Sequence, residues 1–544
     1  VKIAEGADLG TYLSLVNDHD VKGWVKNAIG FENAIGNAKR NKLEGDYDGS
    51  ATDNVLVGGA GADLLRGQAG DDTLVVEDDD HLYDNLDIDG GPGTDTLKAQ
   101  NGEGDIKLYT LELAEVANVE NYVGNEGENE ASGTSGDNLL RGRSDGDTLE
   151  GRGGDDTLVG GAGADKLRGQ GGDDILVVDG DDRMDGNVTG GAGTDTVVVG
   201  DGASVSSSGA ALELKPAHLG YDNYENDVLG VENAVGNARR NWLSGNNEGA
   251  SVANVLRGRG GDDTLRGHRG DDTLAGGAAN DILRGGTGDD VLTGGDGDDD
   301  IHGGEGDDTI LIRGGDALYL ENDIDGGEGD DTLKLEDGEP AVTGRVELAD
   351  DTTSVENYVG NARDNAVEGG DADNVLVGGA GSDMLHGQGG DDTIVVDNAD
   401  AYKDGDKVSG GAGTDTLKVA DDAGYLEYWL NLYDLASFEN YVGNGATNAV
   451  RGDHGDNVLV GRDGSDWLRG LGGDDTLVAD QADDLYNFMS GGSGNDTLKA
   501  EDGETIAEEA PGVYKDIDDV VAVSEALDLA DPVARTVPVC NIKG

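Results

Sequence analysis

Gly285-Gly-Thr-Gly-Asp-Asp-Val-Leu-Thr293 and Gly294-Gly-Asp-Gly-Asp-Asp-Asp-Ile-His302 are consecutive copies of one nine-residue unit, Gly-Gly-x-Gly-x-Asp-x-Leu-x. The unit runs without a break from Gly249 to Leu311. A period this strict means that every copy places the same turn and the same inward side chain. Glycine permits the positive φ angles of a tight turn, and the x-Leu-x triplet makes a very short strand. Two units then close one turn of about 18 residues, with strands on two opposed faces and Gly/Asp turns along both edges. Leu256, Leu265, Leu274, Leu283, Leu292, Ile301 and Ile310 point inward as a thin aliphatic ladder. The expected fold class is all-β, a parallel β-roll or β-helix solenoid.

Composition alone would argue against folding. The chain has 544 residues, 97 of them glycine, a formal charge of −78, and is 35% hydrophobic and 4% aromatic. Too little apolar area is available to offset chain entropy in an ordinary globular core. A solenoid needs only one inward residue per strand, provided that something neutralises its carboxylates. With 115 Asp and Glu against 37 Lys and Arg, that positive charge has to come from solution, and multivalent cations are the natural source. The acidic excess excludes the basic footprint of a nucleic-acid binder. No apolar run reaches the length of a transmembrane segment, and no cleavable N-terminal signal is legible. The start at Val1, just ahead of a repeated motif, leads us to expect a processed chain or a piece of a longer one. The lone Cys540 excludes an internal disulfide framework.

A longer repeat overlies the short one. Its marker is Phe31-Glu-Asn33, then Val119-Glu-Asn121, Val231-Glu-Asn233, Val355-Glu-Asn357 and Phe438-Glu-Asn440. A rung with Asn in place of Asp follows each marker, at Asn41, Asn129, Asn241, Asn365 and Asn448. A block of nonapeptides comes next, then a longer acidic excursion such as Val76 to Asp89, then one more Gly-Gly unit beginning at Gly90, Gly190, Gly326, Gly410 or Gly491. The expected organisation is an N-terminal strand segment or cap at 1–35, repeat modules at 36–118, 119–230, 231–354, 355–437 and 438–503, and a C-terminal tail at 504–544. That tail is read as a cap, an assembly segment or a secretion signal. Strand-like stretches such as Ile106 to Leu113 could continue the stack as wider rungs. A helix is expected only around Ile517 to Leu529, where the apolar spacing is loosely helical.

Calcium takes six to eight oxygens from carboxylates and backbone carbonyls, and the repeat offers both. The sixth position supplies a carboxylate and the glycine turn leaves carbonyls unhindered. Loops on one edge recur every two units, so Asp263, Asp281 and Asp299 line one edge of the third module and Asp272, Asp290 and Asp308 the other. In the second module Asp147 and Asp165 share an edge, as do Asp156 and Asp174. The same position gives Asp63, Asp72, Asp95, Asp195, Asp331, Asp383, Asp392, Asp415, Asp466, Asp475 and Asp496 as metal ligands. The first unit of each block carries Asn54, Asn138, Asn254, Asn374 or Asn457 instead, expected to be weaker sites or hydrogen-bonded ladder positions. The Asn41-type rungs are expected to be hydrogen-bonding spacers. A merely solvated Gly/Asp turn would not explain so fixed a sixth position.

Other chemistry is poorly supported. The histidines are scattered, with His268, His302, His386 and His454 at outward or turn positions, and no zinc-type spacing occurs. Acidic pairs such as Asp262-Asp263 are too abundant to single out a glycosidase dyad. Tyr122, Tyr358 and Tyr441 are expected to pack at module joints rather than to stack on sugars. No catalytic residues are expected, and no enzyme activity.

From roughly Phe31 to Lys499 the chain resembles the RTX, or hemolysin-type, repeat regions of secreted bacterial proteins. The resemblance rests on the nonapeptide itself, and it implies a right-handed parallel β-roll that binds several Ca2+ ions in its turns. It also implies export through a type I channel with folding outside the cell. Family members include toxins, proteases, lipases, adhesins and surface-layer proteins, so the role is not fixed by the repeat. With nearly the whole chain given to repeats, the expected function is a secreted structural scaffold in a surface layer, filament or matrix. The alternative is the calcium-binding region of a larger secreted enzyme or adhesin. Calcium ions are the expected partners, with self-association into a filament or layer and contact with cell-surface polysaccharide as further classes.

Overall fold

The computed structural model describes residues 12–14, 33–36, 41–45, 51–60, 63–76, 88–100, 108–179, 187–200, 212–215, 227–245, 251–312, 324–336, 346–348, 354–397, 408–421, 423, 430–435, 437–464, 466–479, 488–500, 514–515 and 519–522. They fall into two compact units, 1–286 and 287–544. Apart from short 3-10 turns at Leu113–Glu115 and Leu432–Asp434, the described elements are strands, and every described strand pairing is parallel. The fold is the parallel β-solenoid expected from the repeat.

The register follows from the two-unit turn. In the first unit Leu140 stands opposite Leu158, Leu158 opposite Leu176, and Leu176 opposite Val197. The same column begins at Ala34, Leu56, Leu74, Leu97 and Tyr122 and ends at Ala234, Leu256 and Leu274, all essentially without exposure. Alternate units feed the opposite face, where Ala131, Leu149, Leu167 and Val188 form a second column. The second unit repeats the design. Leu292, Ile310, Leu333 and Tyr358 lead one column, continued by Leu376, Ile394, Leu417, Tyr441, Leu459, Leu477 and Leu498. The core is two thin aliphatic ladders back to back, as one inward residue per strand requires.

Ile106 to Leu113 behaves as expected where it is described. Leu108–Glu112 is a strand paired with Asn129–Ser132, so the segment widens a rung without leaving the stack. The helix expected around Ile517 to Leu529 is corrected. Asp519–Ala522 is a strand that pairs with Thr497–Ala500, placing Val520 opposite Leu498 and Ala522 opposite Ala500. An open strand edge above it offers backbone hydrogen bonds that a loosely helical apolar spacing cannot outweigh. Residues 523–529 lie outside the described residues, as does the excursion between 77 and 87.

Candidate metal sites along the two edges

The loop backbone explains the glycines one by one. In Gly151–Val159, a methyl group on Gly151 would collide with the Asp156 carboxylate curled back over the loop and stand 2.8 Å from the Gly169 carbonyl. The first glycine therefore exists for close approach. The second and fourth positions exist for dihedral reasons: in the next unit Gly161 has φ 108° and Gly163 φ 141°. Some loops accept other residues at the second position. Arg152, Gln170, His268 and Gln388 sit there at φ of 84°, 82°, 81° and 81°, each at a cost of about 1 kcal/mol.

All of the sixth-position aspartates named above are 5% exposed or less. Their side chains form ladders along the edges. Asp147 donates its backbone N–H to Asp165 Oδ1 at 2.7 Å, and Asp156 donates to Asp174 Oδ1 at 2.8 Å. Asp263 donates to Asp281 at 2.7 Å, and Asp290 to Asp308 at 2.8 Å. Each carboxylate thus grips the turn before it with one oxygen. For Asp72, Asp95, Asp147, Asp156, Asp174, Asp195, Asp263, Asp308, Asp331, Asp392, Asp415 and Asp475 the other oxygen, Oδ2, is buried and accepts no hydrogen bond. A buried carboxylate oxygen without a donor is costly unless a cation or a proton meets it.

Burial is the main cause of the acid–base consequence, and repulsion from nearby carboxylates adds to it. Asp147, Asp156, Asp272, Asp308, Asp392 and Asp475 are pushed up to about 7. Asp95, Asp195 and Asp331 also reach about 7, with a marker glutamate among the repelling charges. Asp72, Asp263 and Asp383 rise to about 6, and Asp174 and Asp415 rise for the same reason.

The donor set fits calcium. Among the described residues no three His, Cys, Asp or Glu side chains converge, and the loops offer carboxylates together with backbone carbonyls. That mixture of oxygens suits a large, hard cation. Bound there, calcium would supply the charge that the Oδ2 column lacks.

The asparagines hold hydrogen-bond positions. Asn138, Asn374 and Asn457 donate backbone N–H groups to Asp156, Asp392 and Asp475 at 2.7–2.9 Å and side-chain N–H groups to the carbonyls of Glu120, Glu356 and Glu439. The spacer asparagines do likewise: Asn129 and Asn448 donate to Asp147 and Asp466. Tyr122, Tyr358 and Tyr441 are buried at these rungs, each hydroxyl donating to Asn129, Asn365 or Asn448 at 2.8–2.9 Å. They are structural, as their place at the joints suggested. His268 meets Ser244 at 2.9 Å and His302 meets Asp325 at 2.9 Å, with no cluster around either.

Two sets of carboxylates escaped sequence reasoning. Fifth-position aspartates form a second, exposed ladder that runs the other way: Asp155 donates its N–H to Asp137 Oδ1, and Asp173 to Asp155 Oδ1, both at 2.8 Å. Asp391 and Asp474 repeat the pattern with Asp373 and Asp456. The marker glutamates extend the buried ladder, Glu120 Oε2 accepting the Asp95 N–H at 2.8 Å. The abundance of acidic pairs hid the first set, and the absence of the nonapeptide around the marker hid the second.

Comparison with known proteins agrees with this geometry. The family of RTX calcium-binding nonapeptide repeats (4 copies) matches at residues 48–80, 123–158, 150–184, 248–283, 276–310, 321–339, 359–395 and 451–486. Residues 489–544 match a second family, the tRNA-splicing ligase RtcB, a likeness that the tail's composition did not announce. No curated protein matches the chain. Most of the buried aspartates lie within the matched stretches, while Asp95, Asp195, Asp415 and Asp496 lie outside them, and the chain carries RTX calcium-binding nonapeptide repeats in many copies.

Proposed function

We propose that the protein is a secreted structural scaffold, a component of a surface layer, filament or extracellular matrix, whose solenoid folds when calcium enters its edges. The observation that carries this reading is the set of buried Oδ2 atoms without hydrogen-bond donors, at Asp72, Asp147, Asp156 and Asp195 in the first unit and Asp308, Asp331, Asp392 and Asp475 in the second. Such a set is tolerable where calcium is abundant and repulsive where it is scarce, which couples folding to the outside of the cell. No helix among the described residues is long and apolar enough to cross a membrane. Stripped of calcium at pH 8, the chain is expected to lose its β-type circular dichroism, and millimolar calcium is expected to restore it with compaction. Equal β-content in excess chelator would overturn the reading.

A second reading is favoured by one observation, the match of residues 489–544 to the ligase family. Under it the repeats are the calcium-binding part of a longer chain that has an enzymatic portion, and the scaffold acts in the service of that portion. The gene sequence on either side separates the two. Ligase-like sequence continuous with the match supports the second reading, and further repeats support the first. Under both, this chain alone is expected to turn over no peptide, ester or polysaccharide.

A further inference from the structure

We propose that each junction between repeat blocks holds a calcium ion of its own, taken by the marker glutamate together with the last aspartate of the preceding block. The proposal rests on the calcium reading above and extends it to residues outside the nonapeptide.

An ordinary rung sets the template. The Asp156 Oδ2 and the Gly169 carbonyl crowd the α-carbon of Gly151, while Asp174 takes the Asp156 N–H. At the first junction the same three roles are filled by different residues. The Asp95 Oδ2 and the carbonyl of Asn118 crowd the α-carbon of Gly90, and Glu120 takes the Asp95 N–H at 2.8 Å. The marker thus reproduces in three residues, Asn118 to Glu120, the oxygens that a nonapeptide loop presents.

The other junctions are built alike. Glu232 takes the Asp195 N–H at 2.8 Å, and the Gly230 carbonyl meets Gly190 beside Asp195 Oδ2. Glu356 and Glu439 take the N–H groups of Asp331 and Asp415 at 2.9 and 2.8 Å, with the carbonyls of Ser354 and Ser437 in the matching places. The four aspartates are wholly buried at 0% exposure, and each Oδ2 accepts no hydrogen bond. These are the unsatisfied oxygens that point to a ligand.

The backbone brings a carbonyl to each junction. Asn118, Gly230, Ser354 and Ser437 all have positive φ, at 49°, 58°, 50° and 60°. Three of the four lack glycine's freedom in that conformation. The left-handed residue turns a carbonyl onto the junction. The Gly230 carbonyl accepts the Gly191 N–H at 3.0 Å there, as the Gly169 carbonyl accepts the Arg152 N–H in an ordinary rung. A second lone pair is left for a hard cation, with water completing its shell.

The test counts bound calcium on the full chain by equilibrium dialysis, comparing wild type with the combined Glu120→Gln, Glu232→Gln, Glu356→Gln and Glu439→Gln variant. Glutamine keeps an oxygen for the aspartate N–H and removes the charge. The expected result is the loss of one ion per substituted junction with β-type circular dichroism retained in calcium. Should the combined variant fail to fold, Glu232→Gln alone is expected to lose a single ion. An unchanged count in either folded variant overturns the proposal and leaves the calcium-binding fold standing. A wild-type chain that binds no calcium would overturn the calcium reading itself.

Discussion

One oxygen of Asp156 holds the turn before it and the other is buried without a donor, so its charge is a liability until a cation arrives. The pH dependence follows from its rise from 3.8 to about 7. In the calcium-free fold such aspartates keep protons that the unfolded chain releases near its ordinary value. Stability from this source is therefore fully present below about pH 4 and is lost as pH rises towards 7. Calcium-free protein moved from pH 5 to pH 8 is expected to lose β-type circular dichroism, and calcium added at pH 8 to restore it. A calcium-free spectrum constant across that range would count against the buried-carboxylate account. The first glycine gives a second prediction at this scale. Gly151→Ala forces a methyl group against the Asp156 carboxylate and the Gly169 carbonyl, at an expected cost of about 1–3 kcal/mol in calcium-loaded thermal unfolding.

Rungs are the next scale, and here the sequence was uneven as a guide. The inward leucines and the sixth-position aspartates were legible because a fixed period fixes which residues share a column. The ladder through Glu120 was not, because its partner stands outside the repeat and register alone brings them together. The strand at Asp519–Ala522 was misread for a related reason: pairing to Thr497–Ala500 decides its state, and local spacing does not report on pairing. Rung-to-rung coupling should keep damage local. Replacing Asp147 and Asp165 by Ala is expected to speed amide exchange across residues 123–184 and to leave 451–486 protected, as read by exchange mass spectrometry. Uniform loss of protection would refute a neighbour-coupled stack. Tyr122→Phe deletes the buried hydroxyl on Asn129 and should lower stability by about 1 kcal/mol.

For the whole chain, a charge of −78 makes the identity of the cation decisive. Magnesium demands a tighter octahedron and sheds water reluctantly, so it is expected to replace calcium poorly at equal concentration in restoring β-structure. Parallel stacks leave unpaired backbone at their outer strands, and calcium-dependent self-association is expected in light scattering; a monomer at every calcium level would exclude assembly. The aspartate ladder has a consequence of a different kind, for how such a gene can change. Its hydrogen-bonded partners stand 18 residues apart at Asp156 and Asp174, 21 at Asp174 and Asp195, 25 at Asp95 and Glu120, and 37 at Asp195 and Glu232. The contact is indifferent to the length of chain looped out between rungs, so excursions can grow, shrink or receive foreign sequence. It is not indifferent to parity. Unequal crossing-over that adds or removes a pair of nonapeptides returns every later residue to its own edge. A change of one nonapeptide would carry all downstream columns to the opposite face, so that the rungs on either side of the change meet partners from the other edge. Inheritance in such a gene should therefore proceed in steps of two.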